Sequence, residues 1–309
     1  MFSKNVEVFI GCDKNYDEAR HILFGASFDS TTSYRPGARF ASKAIRSESY
    51  AIETYSPYQD RDLEDTSVCD VGDLELCIGE TETSLNQIEA FVSGMLNTEA
   101  KNEKRETGIQ NSMVKVSDRA IGSPSKKIPI MIGGEHLVTL PVIRALYTVY
   151  PDLHIIHFDA HADLRDDYLG AKLSHATVMR RVWEILGDGR IHQFGIRSGD
   201  KSEFTWGKER VFTQKFNFLG MQSTIEKLRG KPVYFSLDLD VLDPSIFPGT
   251  GTPEAGGVSF VELLEAVLLL GELDIVGLDM VELSPVYDQS GVSTAVACKL
   301  LRELLLVVG

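Results

Sequence analysis

The sequence predicts an α/β fold in three layers, a mostly parallel central sheet with helices on both faces. Two observations carry that prediction. Short, nearly all-apolar runs alternate with longer stretches of helical periodicity, as expected for strands buried on both faces between covering helices. Clusters of acidic residues and histidine then fall just past three of those runs, at the carboxyl ends where open α/β sheets bind ligands.

In chain order, the first strands are expected at residues 6–10 and 22–25. Ser84 followed by Gln87 has the spacing of a capping box, opening a helix expected to run through Leu96. Residues 98–127 carry many charges and few large apolar side chains, with Gly, Ser and Pro near their end. They are expected to form a polar excursion inside a single domain spanning 1–309. Five apolar runs read as strands, at 128–132, 153–158, 191–196, 232–237 and 274–278. Helices are expected at 138–150, 176–186, 261–270 and 293–307, the third opened by Ser259 with Glu262. The chain shows no internal repeat.

Composition narrows the class of partner. Lys+Arg number 31 against 45 Asp+Glu, a formal net charge of −14. Neither a nucleic acid nor an anionic membrane is expected to bind such a surface, since each needs a basic footprint; a cationic ligand is compatible with it. The N-terminal stretch has only Lys4 as a basic residue, and the most apolar region, 292–308, is interrupted by Lys299, Arg302 and Glu303. A cytoplasmic protein is expected. Cys12, Cys69, Cys77 and Cys298 form no Cys-x-x-Cys pair and read as reduced thiols without a function.

The chemistry is concentrated in three places: Gly133-Gly134-Glu135-His136, Asp159-Ala160-His161-Ala162-Asp163 and Asp238-Leu239-Asp240. In extended chain, residues i, i+2 and i+4 point to one side, so Asp159, His161 and Asp163 can present donors together, as can Asp238 and Asp240. Singly, each cluster has a plainer reading, His136 as a loop or cap residue and Asp-x-Asp as a solvated turn. Three at equivalent strand ends point to a metal centre, because so many carboxylates repel one another unless cations neutralise them. Four Asp and two His form a hard, oxygen-rich donor set that suits Mn²⁺. Six donors exceed the need of one ion, so two are expected, with a water between them activated for hydrolysis. Gly249-Thr250-Gly251 follows Pro248 and lacks the third glycine of a dinucleotide loop, and neither a Walker A loop nor a Gly-x-Ser-x-Gly elbow occurs.

These stretches resemble the ureohydrolases, the family of arginases, agmatinases and their relatives. The family's Gly-Gly-Asp-His, Asp-Ala-His-x-Asp and Ser-x-Asp-x-Asp-x-x-Asp-Pro segments match residues 133–136, 159–163 and 236–244 in order. Residues 28–37, 161–165, 248–252 and 281–285 look most like the agmatinase branch. Glu135 replaces the usual Asp, and Ala176 stands where Gly often follows the active-site His.

The resemblance implies an arginase/deacetylase-like fold and two Mn²⁺ per chain. One ion would be held by His136, Asp159, Asp163 and Asp238, the other by His161, Asp159, Asp238 and Asp240. It further implies Asp163 carrying a proton to the leaving nitrogen, Glu282 binding the guanidinium and His175 as proton shuttle or channel residue. The implied substrate is a small cationic guanidino compound, agmatine, cleaved to putrescine and urea in polyamine biosynthesis by a homo-trimer or homo-hexamer. Guanidinobutyrate or formiminoglutamate is the alternative; each ends in a carboxylate, for which Arg165 is the candidate cation. A non-catalytic metal-binding descendant is opposed by the intact donor set and the retained Glu282.

Overall fold

A computed structural model describes residues 7–106 and 126–309, with the backbone alone over 98–106. The described elements are β1 (His21–Gly25), α1 (Ala41–Glu48), β2 (Tyr55–Ser56), β3 (Arg61–Asp62), β4 (Val68–Asp73), α2 (Thr81–Glu106), β5 (Ile128–Ile132), α3 (Thr139–Val149) and β6 (His154–Phe158). After them come α4 (Val178–Leu186), β7 (Ile191–Ile196), α5 (Lys201–Gly207), β8 (Phe212–Lys215), α6 (Met221–Leu228), β9 (Pro232–Asp238), α7 (Phe260–Leu268), β10 (Asp274–Val281) and α8 (Val292–Val308). Eight strands form one sheet in the order β4, β1, β5, β10, β9, β6, β7, β8, and every neighbouring pair is parallel. The remaining two, β2 and β3, make a small antiparallel hairpin.

The three-layer expectation holds, and strand alternation explains it. Ile130, Ile132, Ile156, Phe158, Phe235, Leu237, Leu278 and Met280 turn to one face, where they meet Ile45 of α1, Ile225 of α6, Leu263 of α7 and Leu301 of α8. Met131, Ile155, Tyr234 and Val276 turn to the other, against Ile88 of α2, Ile143 of α3 and Val178 of α4. A fully buried side chain of this kind contributes about 1.5–3 kcal/mol, so two such faces fix the register of the central strands.

That register sets the site. Ile132, Met280, Leu237 and Phe158 are successive partners across β5, β10, β9 and β6. Four segments distant in sequence therefore end at one level, in the middle of the sheet. β5 and β6, consecutive along this part of the chain, are separated by β10 and β9, which makes this the switch point of the strand order.

Several expectations need correction. Residues 7–10 are not a strand, and Val6 lies outside the described residues. There the backbone N–H groups of Phe9 and Ile10 donate to Asp70 Oδ2 (2.8 Å) and Ser49 Oγ (3.1 Å), so side chains replace a ladder. Ser84 does not cap α2, which starts at Thr81; its hydroxyl donates to the Cys77 carbonyl, while Gln87 accepts from the Cys77 N–H. α2 also continues to Glu106, taking in the first part of the expected excursion; residues 107–125 lie outside the described residues. The Ser259–Glu262 box is present. The four cysteines are free. Among the described residues no helix is long and apolar enough to cross a membrane.

Candidate metal centre

The first cluster is shaped by backbone contact. Glu135 N–H donates to the Phe28 carbonyl at 2.7 Å, and a Cβ on Gly134 would lie 1.8 Å from that same oxygen. Gly133 is as constrained, since its Cβ would meet Val281 at 2.4 Å. The glycine pair therefore lets the chain leaving β5 pass residues 26–28 closely and deliver His136 to the carboxyl ends of the central strands. The second cluster follows β6 directly, the third begins on the last residue of β9, Asp238, and Glu282 follows β10.

All six expected donors converge. His136 Nδ1 lies 3.1 Å from Asp159 Oδ2, 3.2 Å from Asp163 Oδ2 and 3.3 Å from Asp238 Oδ2. His161 Nδ1 lies 3.0 Å from Asp240 Oδ2 and 3.4 Å from Asp159 Oδ1. Asp159 thus faces both imidazoles with one oxygen each. Five of the six residues are buried; His161 is the more open one, its side chain 23% exposed. Among the described residues no Lys or Arg side chain enters this centre, so the carboxylates are not balanced from within.

The electrostatics record that imbalance. Burial, with Asp240 and Asp159 close by, raises the Asp238 carboxyl well above its ordinary range. Burial pushes Glu282 up to about 8, with Glu135 adding to the effect. Asp159 goes the other way: burial would raise it, but His136, His157 and His161 beside it hold it well below. Burial would lower His136, yet Asp159, Asp163 and Asp238 raise it well above the usual imidazole value. Without metal, the cluster becomes tolerable by taking up protons.

A divalent ion fits these residues better than protons do. His136 Nδ1 is fully buried and makes no well-directed hydrogen bond, although three carboxylate oxygens surround it. An orphaned ring nitrogen facing carboxylates is the arrangement of a ligand lone pair aimed at a cation. Its other nitrogen, Nε2, is 3.0 Å from Ser236 Oγ, which donates to Asp279 Oδ1 at 2.7 Å. Asp279 also accepts from Tyr234 and Thr139. This support orients the imidazole from behind.

Backbone strain accompanies the chemistry. Asp163 and Glu282 hold φ of 53° and 65°, left-handed values that a non-glycine residue rarely adopts. Glu282 is fixed further by accepting the His136 N–H at 2.8 Å.

His136, His161, Asp163, Asp238 and Glu282 line the floor of a cavity of about 160 Å³. His175 stands in its wall, with Nε2 3.3 Å from Ser33 Oγ, its backbone N–H on Thr31 Oγ1 at 3.1 Å, and its ring edge-on to Tyr168. The structure thus brings together every residue singled out from the sequence. It adds wall residues that were given no role from the sequence: Ser33 and Thr252, within the stretches that look like the agmatinase branch, and Tyr168, Ser198 and Glu203, which carried no sequence signal. It also explains Glu135, whose carboxylate accepts from Thr31 N–H and from the Thr31 and Thr32 hydroxyls, tying the 31–33 loop to the glycine loop.

Comparison with known proteins accords with this geometry. The model of the arginase family matches residues 19–307. An agmatinase of Bacillus subtilis (strain 168) is 44% identical over 304 residues, covering 97% of this chain and 96% of its own. A guanidinobutyrase of Pseudomonas aeruginosa is 32% identical over 297 residues, covering 92% and 85%. The crystal structure of the agmatine ureohydrolase of Thermoplasma volcanium superposes with a TM-score of 0.82 at 32% identity, over 100% of this chain and 95% of that one.

Proposed function

The chain belongs to the arginase family, and from that premise we propose that it acts as an agmatinase, hydrolysing agmatine to putrescine and urea at a pair of Mn²⁺ ions. The observation that carries the proposal is the buried, unpartnered His136 Nδ1 at the centre of a carboxylate cluster that, among the described residues, has no Lys or Arg to balance it. In this reading His136, Asp159, His161, Asp163, Asp238 and Asp240 would together hold the ions. Two dications there would offset the four carboxylates and supply an activated water as nucleophile.

The remaining work falls to the chain's own groups. Glu282, aimed by the His136 N–H, receives the substrate's guanidinium; the incoming cation favours its charged form, and the charge-assisted pair fixes the guanidinium plane for attack. Asp163 sits on the cavity floor beside His136, in position to carry a proton to the leaving nitrogen. His175 lies on the wall between the floor and the 31–33 loop, where it relays protons or guides the substrate.

Charge at the mouth favours an ammonium tail over a carboxylate. Arg165 is paired with Asp200 at 3.0 Å and Glu203 at 3.4 Å. That trio carries one positive and two negative charges, so its cation is already engaged by this chain's own carboxylates. A guanidinobutyrate tail would have to displace one of them; the ammonium of agmatine would not. Urea release from agmatine, arginine and guanidinobutyrate tests the reading, with agmatine expected to be turned over fastest. No turnover of agmatine would defeat it, and a preference for guanidinobutyrate would make the chain a guanidinobutyrase instead.

Manganese as the metal, a trimeric or hexameric assembly, a cytoplasmic location and a place in polyamine synthesis belong to the same proposal. The hard donor set supports the first. Metal analysis of protein purified without added metal, light scattering and cell fractionation check them.

A further inference from the structure

His157 lies two residues before Asp159 on β6 and is fully buried, and the proposed reaction does not use it. Its ring centroid is 4.9 Å from that of His136, and His136, His157 and Asp159 lie close enough together to suggest a metal triad. Hydrogen-bond chemistry argues otherwise. The Ala162 carbonyl can only accept, so the end of the Gln193 amide that approaches it at 2.7 Å must be the NH₂ group. The same nitrogen is 3.1 Å from His157 Nδ1, so Nδ1 accepts and the ring hydrogen sits on Nε2. Nε2 faces Asp159 Oδ2 at 2.8 Å, and its N–H therefore points at the carboxylate. The other end of Gln193 agrees, because its carbonyl oxygen accepts from Thr213 Oγ1 at 3.1 Å.

We propose that His157 is a positioning residue for the metal centre: it donates from Nε2 to Asp159 and holds the plane of that carboxylate, and it is not itself a ligand. The relay runs from Thr213 on β8 through Gln193 on β7 to His157 on β6, three neighbouring strands. His157 and Gln193 are partners in the β6–β7 register. Asp159 Oδ1 is pinned as well, by the His161 N–H at 2.6 Å. The carboxylate that both ions would share is therefore fixed at both oxygens before any ion arrives. Loss of such a supporting donor typically weakens metal affinity about 10–100-fold.

The inference rests on the two-ion reading, and the test separates the two. Metal-stripped protein is titrated calorimetrically with Mn²⁺ as wild type, His157→Leu, His157→Gln and Gln193→Leu, with folding followed by circular dichroism. Wild type is expected to take up two ions. His157→Leu should keep two sites with affinity reduced about 10–100-fold. His157→Gln, whose amide nitrogen reaches close to the place of Nε2, should recover most of the loss, and Gln193→Leu should fall between. Because the leucine variant replaces a buried polar group, the glutamine and Gln193 variants carry the test if it does not fold. Unchanged affinity across the folded variants would overturn the positioning role. Loss of one ion outright, without rescue by glutamine, would make His157 a ligand and overturn it equally. A wild type that binds no Mn²⁺ would overturn the two-ion reading itself, and this inference with it.

Discussion

Two acidic clusters of this sheet, one at the edge strand β4 and one at its centre, are balanced in opposite ways; at the edge Asp70 is buried while the Asp73 side chain is 35% exposed. At the edge strand β4, Asp70 receives Arg46 through two nitrogens, at 2.7 and 3.0 Å, and Asp73 receives a third. The Phe9 and Gly72 N–H groups and the Ser42 hydroxyl complete the set. In the centre, four aspartates surround two imidazoles with no Arg or Lys from the described residues among them. Arg46 supplies the counter-charge that buried Asp70 needs and holds α1 to the sheet. The central one is incomplete until something positive arrives. Two acidic clusters in one sheet thus differ in function because one carries its own counter-charge.

That contrast can be tested at either end. The largest effect is expected from Asp163→Asn: turnover should fall about 10²–10⁴-fold while circular dichroism and melting stay close to wild type. Wild-type turnover would remove Asp163 from proton transfer. At the edge, Arg46→Met strands buried Asp70 without its partner and should cost about 3–5 kcal/mol of stability in denaturant titration. Metal stoichiometry in the folded protein should not change. A shift in stoichiometry would show instead that the two clusters are coupled.

How much of this was legible in the sequence follows from where each signal sits. His136, Asp159, His161, Asp163, Asp238 and Asp240 stand out because they fall in three clusters, each at the end of an apolar run, and the three together are hard to read as separate turns. Asp70 also lies in a strand, but its neighbours alternate polar and apolar, and nothing nearby in sequence identifies Arg46 as its partner. The support behind the site was hidden for a related reason. His157 and Ser236 sit inside strands that read as apolar and Asp279 just past one, and their hydrogen bonds depend on strand order: His157 on β7 lying beside β6, Ser236 and Asp279 on the order β5, β10, β9. Strand order of that kind is a property of the whole chain. Even the length of β10 mattered: the apolar run was expected to end at 278, but the strand reaches Val281 and so carries Glu282 to the floor of the cavity.

Smaller effects are expected within the centre itself. Glu282→Gln keeps the shape of the side chain and removes its charge. It should lower kcat/KM for agmatine by about 1.5–3 kcal/mol, the range of a charge-assisted hydrogen bond, or roughly ten- to 150-fold. An unchanged kcat/KM would show that the guanidinium is held elsewhere.

The pH dependence of metal-free protein has a definite sign. Glu282 is pushed up to about 8, and Asp238, His136 and His161 are also raised in the folded chain. The folded state therefore holds more protons than the unfolded one above the unfolded carboxyl range. Stability contributed by these groups is present at low pH and is lost as pH rises from about 4.5 toward 8. The slope is about 1.4 kcal/mol per pH unit for each proton of difference. Thermal melts from about pH 6.5 to 8, above the range in which buried His21, His154 and His192, lowered to about 4, 4 and 3, act in the opposite sense, should show the loss in stripped protein and a flatter profile with Mn²⁺, because metal binding requires deprotonated ligands. A stripped protein that gains stability as pH rises through the window would contradict the cluster's electrostatics.

If the unbalanced cluster becomes an agmatine-hydrolysing centre when cations complete it, urea release from agmatine must follow metal loading as stripped protein is titrated with Mn²⁺. Activity is expected to rise with metal and to saturate at two ions per chain. Full activity in metal-free protein, or no urea at any loading of correctly folded protein, would contradict that reading of the centre.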